Sequence, residues 1–360
     1  MRHLTRPFVL PLVASVVLAA CGSAGGSAAP SAAPSPTPAS AAPAAEPSAS
    51  VGGTLTIYAG RSEELVGPLI DEFETATGID VEVNYAGTTD LAATLLEEGA
   101  ASPADVFFAQ DAGALGAVAA AGQLATLPAD TLSLVDERFV SDDGQWVGVS
   151  GRARVLVYDT RTIDEAELPA SVDDLTDPAW KGRIGWAPTN ASLQSFVTAY
   201  RVLDGDAAAK SWLEGIQANE PKVYDGNDAV LAAVAAGEVE VGLVNHYYLM
   251  RQLAEQGDDF PVRNHFLPGG DPGSLVNVAG AGILSTAPNP AAAQAFIDFL
   301  LAPESQEYFA TETHEYPLVG GIAPNPALPA LTDIQSPAID LSDLADLEGT
   351  LELMQEAGVL

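Results

Sequence analysis

The alternation of short strands with amphipathic helices, which begins at Thr54, limits this chain to a small set of folds. Residues 54–58 alternate as a strand, and Leu65, Leu69 and Phe73 have the spacing of one helix face. Pro68 fits that helix only within its first turn, so we expect the helix to begin late. Residues 79–83 then alternate as a second strand. This β-α-β unit predicts an α/β fold, in which helices cover both faces of a parallel or mixed sheet.

The same pattern recurs along the rest of the chain. It predicts helices over residues 89–98, 112–121, 193–200, 228–236 and 344–357, and strands over residues 105–108, 155–158 and 239–244. Sheets of this kind bind ligands beyond the carboxyl ends of their strands. We therefore expect a cleft lined by residues 61–64, residues 109–113 and the tyrosine pair that follows residue 244.

The part of the chain with this pattern, residues 53–360, is longer than one hydrophobic core usually organises, which predicts two lobes. It contains no cysteine, because Cys21 is the single cysteine of the sequence. An internal disulfide and a cysteine-based zinc site are therefore excluded.

The first residues have the features of an export signal. Arg2 and Arg6 precede an apolar run, and small residues follow it, so residues 1–20 are predicted to be a signal peptide. The sequence Leu-Ala-Ala-Cys that ends at Cys21 resembles the bacterial lipobox, which predicts a lipidated Cys21. The alternative is an ordinary signal peptide followed by a chance cysteine. In the lipobox interpretation, residues 21–52 are a lipidated cysteine and a disordered Ala/Pro/Ser-rich tether. The protein would be held to the extracytoplasmic face of the cell membrane through lipid only.

The chain is strongly acidic, with a formal net charge of −35 at pH 7. Nucleic acids and anionic lipid surfaces select patches of Lys and Arg, so we expect no nucleic acid partner and no membrane contact besides the lipid. A well-solvated surface is enough to explain the acidity, and a specific role for the charge is the alternative.

Several segments, spread in order through the folded part, resemble one known family. They are residues 57–63 (IYAGRSE), 102–107 (SPADVF), 149–155 (VSGRARV), 174–190 (DLTDPAWKGRIGWAPTN), 243–248 (LVNHYY) and 315–318 (EYPL). Together they are similar to the ferric-binding periplasmic proteins that feed iron ABC transporters. The resemblance implies a two-lobed type 2 periplasmic solute-binding protein fold with a hinge and an interlobe cleft. Lobe 1 is expected to hold residues 53–153 plus 278–325, and lobe 2 residues 154–277 plus 326–360.

The resemblance also implies two metal ligands, since the family's Asn-His-Tyr-Tyr motif places tyrosinates at Tyr247 and Tyr248. Ferric iron is a hard ion that prefers anionic oxygen, and its charge can offset the high pKa of a phenol. The alternative is an aromatic pair that only packs the start of a helix. His246 belongs to the motif but is expected to be structural.

The sequence departs from the family's patterns at Arg61, Ser62, Gln110 and Gly151, so the resemblance does not assign the remaining ligands. Two tyrosinates leave one charge of Fe(III) unmatched, so Asp111 is a candidate ligand and Glu63 a weaker one. Either carboxylate could instead stabilise a helix N-terminus.

In relatives an anion such as carbonate, phosphate or citrate completes the iron site. The corresponding positions here are Ser150, Gly151, Asn190 and Asn245, whose hydroxyl, backbone amide and side-chain amide groups suit an oxyanion.

These features predict a monomeric binding protein, and not an enzyme, that captures ferric iron and delivers it to the permease and ATPase of an ABC importer. The first alternative is a binding protein of the same fold for another small solute, such as a polyamine, a sugar or an oxyanion. The second is a secreted hydrolase. Its motifs are incomplete, since residues 148–152 (GVSGR) lack the final glycine of a nucleophile elbow.

Overall fold

The computed structural model describes residues 53–360. The predicted signal peptide, Cys21 and the predicted tether lie outside the described residues. In the described part of the chain ten strands form one sheet: β1 Thr54–Ala59, β2 Asp80–Tyr85, β3 Val106–Ala109, β4 Val147–Asp159, β5 Ile184–Trp186, β6 Lys222–Val223, β7 Val241–Asn245, β8 Val262–His265, β9 Val276–Ile283 and β10 Tyr316–Pro317.

Eleven α-helices accompany the strands within residues 53–360. They are α1 Glu63–Thr77, α2 Thr88–Glu98, α3 Ala112–Ala120, α4 Ala129–Leu132, α5 Ala191–Asp204, α6 Asp206–Ala218, α7 Asn227–Ala235, α8 His246–Gln256, α9 Pro290–Leu300, α10 Pro303–Thr311 and α11 Leu347–Glu356. No helix within residues 53–360 is both long enough and apolar enough to cross a membrane.

The strands run in the order β2-β1-β3-β9-β4-β7-β5-β6, and β8 and β10 also pair with β4. The pairs β1–β2, β1–β3, β5–β7 and β5–β6 are parallel, whereas β9 and β4 pair antiparallel with their neighbours. The mixed sheet predicted from the strand and helix pattern is therefore present.

Strand β4 joins two halves of the sheet. Its residues 147–153 pair with β9, and its residues 154–158 pair with β7. All of β4 is buried, because elements of both halves cover it. One long strand that changes partners between Ala153 and Arg154 is a natural place for a hinge between two lobes. The residue boundaries predicted for the lobes stay a prediction.

The expectation about Pro68 was wrong. Helix α1 begins at Glu63, so Pro68 lies inside the helix, beyond its first turn. A proline here leaves the carbonyl of Glu64 without its helical partner, but Glu64 is exposed and water can satisfy it. The residue before a proline normally avoids the helical conformation because of its Cβ atom. Gly67 has no Cβ, which allows the helix to continue.

The C-terminal segment lies across helices of both halves. A 3₁₀ turn at Leu341–Ala345 packs on α3 and α5, and α11 packs on α5 and α6. Leu341 and Leu344 are buried in this contact. Arg201 of α5 fixes the start of α11, because its guanidinium lies 2.9 Å from Asp346 Oδ2 and 2.9 Å from Thr350 Oγ1.

Candidate functional site

The tyrosine pair lies where β7 ends and α8 begins. Asn245 is the last residue of β7, and Tyr247 and Tyr248 belong to the first turn of α8. Their rings stack, with centroids 4.2 Å apart and planes inclined by 27°. Tyr247 is 1% exposed and Tyr248 is 7% exposed. Consecutive side chains of a helix normally diverge. In a first turn no preceding turn restricts their rotamers, so these two rings can lie together.

Burial raises the pKa of Tyr247 well above its ordinary value, and the neighbouring Tyr248 adds to this effect. The charges of Arg61 and Arg152 act in the opposite direction. The protein alone therefore keeps the Tyr247 phenol protonated at neutral pH. A trivalent cation at the pair would supply the charge that favours the phenolate.

Arg61 and Glu315 form a buried ion pair whose charges act on the pKa of Tyr247. Arg61 Nη2 lies 2.8 Å from Glu315 Oε2. The same oxygen accepts hydrogen bonds from Ser150 Oγ at 3.1 Å and Thr313 Oγ1 at 3.0 Å. Burial raises the pKa of Glu315, but Arg61 and Arg152 outweigh it and hold that pKa below its ordinary value. Glu315 is therefore ionised at neutral pH.

Arg152 and Arg154, two positions apart on β4, add two more buried guanidinium groups. Arg152 Nη2 donates to the carbonyl of Val278 at 3.2 Å, and Arg152 Nε lies 4.0 Å from Glu315 Oε1. Burial lowers the pKa of both arginines, that of Arg154 to about 9. Both remain charged at neutral pH. The arginine cluster, made of Arg61, Arg152 and Arg154, therefore carries more positive charge than Glu315 neutralises.

The arginine cluster has several unused donors. Within residues 53–360, Nε and Nη1 of Arg61, Nη1 of Arg152 and Nε of Arg154 are buried without a hydrogen-bond partner, and so is Nδ2 of Asn245. Buried donors without partners are costly, and each one calls for an explanation. An oxyanion provides one, because its oxygens accept several charge-assisted N–H bonds at once.

The four residues predicted to hold an anion have different roles in the structure. Asn245 keeps its free amide, whereas Ser150 donates to Glu315. Asn190 caps α5, where its Oδ1 accepts from the backbone of Ser192 at 3.0 Å. Gly151 lies in β4, and a Cβ atom there would come within 3.2 Å of neighbouring side chains. Asn245 is thus the member of the set whose unused donor is buried.

The two carboxylates predicted as further ligands lie in different surroundings. Asp111 is buried and caps α3, and its Oδ1 accepts from Ala114 N at 3.1 Å. Burial raises its pKa, and the charge of Arg152 opposes the shift. Glu63 is exposed in the first turn of α1, near Tyr85. Within the described part of the chain, no group of three or more His, Cys, Asp or Glu side chains is placed to hold a metal ion.

His246 uses both ring nitrogens within the protein. Its Nδ1 accepts from the backbone N–H of Ala153 at 3.1 Å, which leaves the proton on Nε2. Nε2 then donates to the carbonyl of His314 at 2.9 Å. Burial lowers the pKa of His246 to about 4, so the ring is neutral at neutral pH. These bonds tie the start of α8 to β4 and to the loop before Glu315.

The sequence pattern placed Arg61 in the predicted cleft and at a departure from the family's pattern, but it gave no role to Arg152, Arg154 or Glu315. A signal for the strand arginines was available, since Arg-Ala-Arg interrupts an otherwise apolar stretch that ends in Val-Leu-Val-Tyr. Charged residues are almost never fully buried unless they are paired or functional. Glu315 gave no such signal, because its partners come from distant parts of the chain.

Comparison with known proteins places this site in a family. Residues 68–335 match the family described as "Bacterial extracellular solute-binding protein". This chain belongs to the bacterial extracellular solute-binding proteins. It is 36% identical over 314 residues to the Fe(3+)-binding periplasmic protein of Serratia marcescens, an alignment that covers 87% of this chain and 92% of the relative.

Two solved structures of iron-bound proteins have the same fold as this solute-binding protein. Iron-bound HitA from Pseudomonas aeruginosa superposes with a TM-score of 0.81 at 36% identity, covering 85% of this chain and 99% of that one. The Trichodesmium protein IdiA (FutA), in complex with iron and citrate, superposes with a TM-score of 0.72 at 30% identity, covering 86% and 100%. The predicted two-lobed type 2 fold is confirmed, and the family binds solutes rather than catalysing reactions.

Proposed function

We propose that this solute-binding protein captures ferric iron together with an oxyanion in the cleft between its lobes and delivers the iron to an ABC importer. Tyr247 and Tyr248 supply two tyrosinate ligands. The observation that carries the proposal is the stacked, buried tyrosine pair beside the arginine cluster, in a chain that resembles iron-bound proteins along most of its length.

The charges of the site favour an anion with the iron. Two phenolates neutralise two of the three charges of Fe(III), and the arginine cluster exceeds Glu315 in charge. An oxyanion such as carbonate, phosphate or citrate would supply oxygen ligands to the iron and accept hydrogen bonds from the unused N–H groups of Arg61, Arg152 and Asn245. A site with protein ligands alone would leave this excess positive charge buried, which is costly.

The visible spectrum tests the iron proposal. Tyrosinate bound to Fe(III) gives a charge-transfer band, so the purified protein should turn red with ferric citrate. Replacing Tyr247 and Tyr248 by Phe should abolish the band and iron binding while the fold is kept, because Phe retains the stacked rings. Tyr224→Phe, at a half-buried position directly after β6, is the matched control and should keep the band. Full iron affinity in the double variant would exclude the tyrosine pair as ligands.

We also propose that Cys21 carries a lipid that anchors a monomeric protein to the extracytoplasmic face of the membrane. The support is the Leu-Ala-Ala-Cys sequence and the family's extracellular location. Cys21→Ser should release the protein into the soluble extracytoplasmic fraction without a change in iron binding. Continued membrane association of this variant would contradict the anchor.

A further inference from the structure

Two hydrogen bonds from consecutive residues of α5 connect this helix with the other lobe. Ser195 Oγ donates to Asp111 Oδ1 at 2.7 Å. Thr89 Oγ1 donates to Gln194 Oε1 at 2.7 Å. Thr89 belongs to α2 and Asp111 caps α3, next to strands β1 and β3, whereas α5 follows β5 in the other half of the sheet. Both bonds therefore join the lobes.

The contact between α3 and α5 is closely built. Asp111, Gln194 and Ser195 are buried, so water does not compete for their hydrogen bonds. A Cβ atom at position 113 would lie 2.8 Å from Ser195 Oγ, and Gly113 is what allows the helices to approach this closely. Asp111 Oδ1 already accepts two hydrogen bonds, from Ser195 and from the backbone of α3. Asp111 Oδ1 is therefore committed to the protein, whereas Asp111 Oδ2 is buried without a hydrogen-bond partner.

A third link between the lobes differs from these two. Arg251 of α8 pairs with Glu64 of α1, but the Glu64 side chain is 72% exposed. Water and salt screen an ion pair of this kind, and it contributes little. The bonds at α5 are better shielded from water than this pair, since Asp111, Gln194 and Ser195 are buried.

We propose that Asp111 and Ser195, supported by Thr89 and Gln194, form an interlobe clasp that stabilises the closed protein and slows release of the bound solute. Asp111 acts through closure and is not an iron ligand. Because the bonds of the clasp break when the lobes separate, they stabilise the closed state and not the open one. The solute then needs to supply less of the free-energy difference that favours the closed state over the open one. The clasp rests on the proposed function only for the identity of the cargo.

The test combines two measurements on the full chain. Small-angle X-ray scattering without solute and with ferric citrate reports the open fraction, and transfer of iron to a competing chelator reports its release. Ser195→Ala should raise the open fraction and speed release about tenfold or more, since hydrogen bonds to charged groups are strong. Asp111→Ala should do the same, and the double variant should be no faster than either. Ser211→Ala, at an exposed serine of α6, is the control and should match the wild type.

Asp111→Asn separates the clasp from metal ligation. The amide oxygen can still accept from Ser195, so this variant should close like the wild type and keep the visible band at the same wavelength. If Asp111→Asn shifts the band or loses iron binding, Asp111 is a ligand and the proposal is wrong. Unchanged closure and release in Ser195→Ala would also overturn the proposal. Absence of any band in the wild type would instead refute iron binding, and scattering without solute would still decide the clasp.

Discussion

At the scale of single residues, Glu315 makes the burial of several arginines tolerable. Its Oε2 accepts hydrogen bonds from Arg61, Ser150 and Thr313, and its Oε1 lies 4.0 Å from Arg152 Nε. A buried charge whose partner is removed remains without compensation, and this is more costly than the pair itself is favourable. Glu315 is therefore expected to be a structural support of the site as well as a source of its charge balance.

Glu315→Gln should lower the free energy of unfolding by about 3–5 kcal/mol, the cost typical of breaking a buried ion pair. Chemical denaturation measures this loss. Glu240→Gln is the matched control, because Glu240 pairs with Arg183 at a partly exposed site and its loss should cost about 1 kcal/mol or less.

The effect of Glu315 should depend on pH with a definite sign. Its folded pKa lies below its ordinary value, so its stabilisation is complete above the ordinary Glu range and is lost as pH falls through the lowered folded pKa. The gap in stability between wild type and Glu315→Gln should shrink on acidification. A gap that stays constant down to the acid transition would contradict the ion pair.

At the scale of elements, the sequence pattern predicted most helices and strands because each has a clear apolar period. It predicted a strand at residues 155–158, whereas β4 extends back to Val147. The first half of β4 contains Gly148, Ser150 and Gly151, and these small residues interrupt the apolar and polar alternation that predicts a strand. The arginine cluster was not predicted either, because pairing across β4, β10 and the loop after β1 depends on distant contacts. Local patterns cannot report such contacts.

Gly116 of α3 permits the C-terminal segment to pack closely. A Cβ atom there would lie 2.9 Å from the Cβ and 3.0 Å from the Cα of Ala345. Alanine in a helix interior normally stabilises relative to glycine. Here Gly116→Ala should instead lower the free energy of unfolding by about 1–3 kcal/mol, since it overpacks a buried contact. Ala345→Gly in the same chain should recover part of this loss, and denaturation of the two single variants and the double variant measures the coupling. Strict additivity would show that the two residues do not touch.

At the scale of the whole molecule, binding and closure share one equilibrium. Strand β4 continues through both lobes, so the lobes can rotate while remaining connected. A solute favours closure only by its preference for the closed form. The arginine cluster adds a condition, because iron bound to two tyrosinates leaves the closed cleft with excess positive charge unless an anion enters as well. Iron and anion should therefore bind with positive coupling.

Thermal melting should reveal this coupling. A ligand that binds the folded state at a hundredfold excess over its Kd adds about 2.7 kcal/mol, which corresponds to a rise in Tm of several degrees. We expect this rise with ferric iron plus carbonate, phosphate or citrate, and a much smaller rise with iron in anion-free buffer. Arg61→Gln should weaken the dependence on the anion, because it removes unused donors that face the site. Arg138→Gln, at an exposed arginine, should not.

The stabilisation by iron should also weaken as pH falls from neutral to mildly acidic values. Binding converts the phenol of Tyr247, whose pKa burial raises, into a phenolate and releases its proton, so added protons compete with the metal. Melting series at several pH values, each with and without anion, separate this competition from the acid sensitivity of the free protein. Equal stabilisation by iron with and without anion, in both wild type and Arg61→Gln, would show that protein groups alone complete the iron site, and Glu63 would then be the carboxylate to replace next.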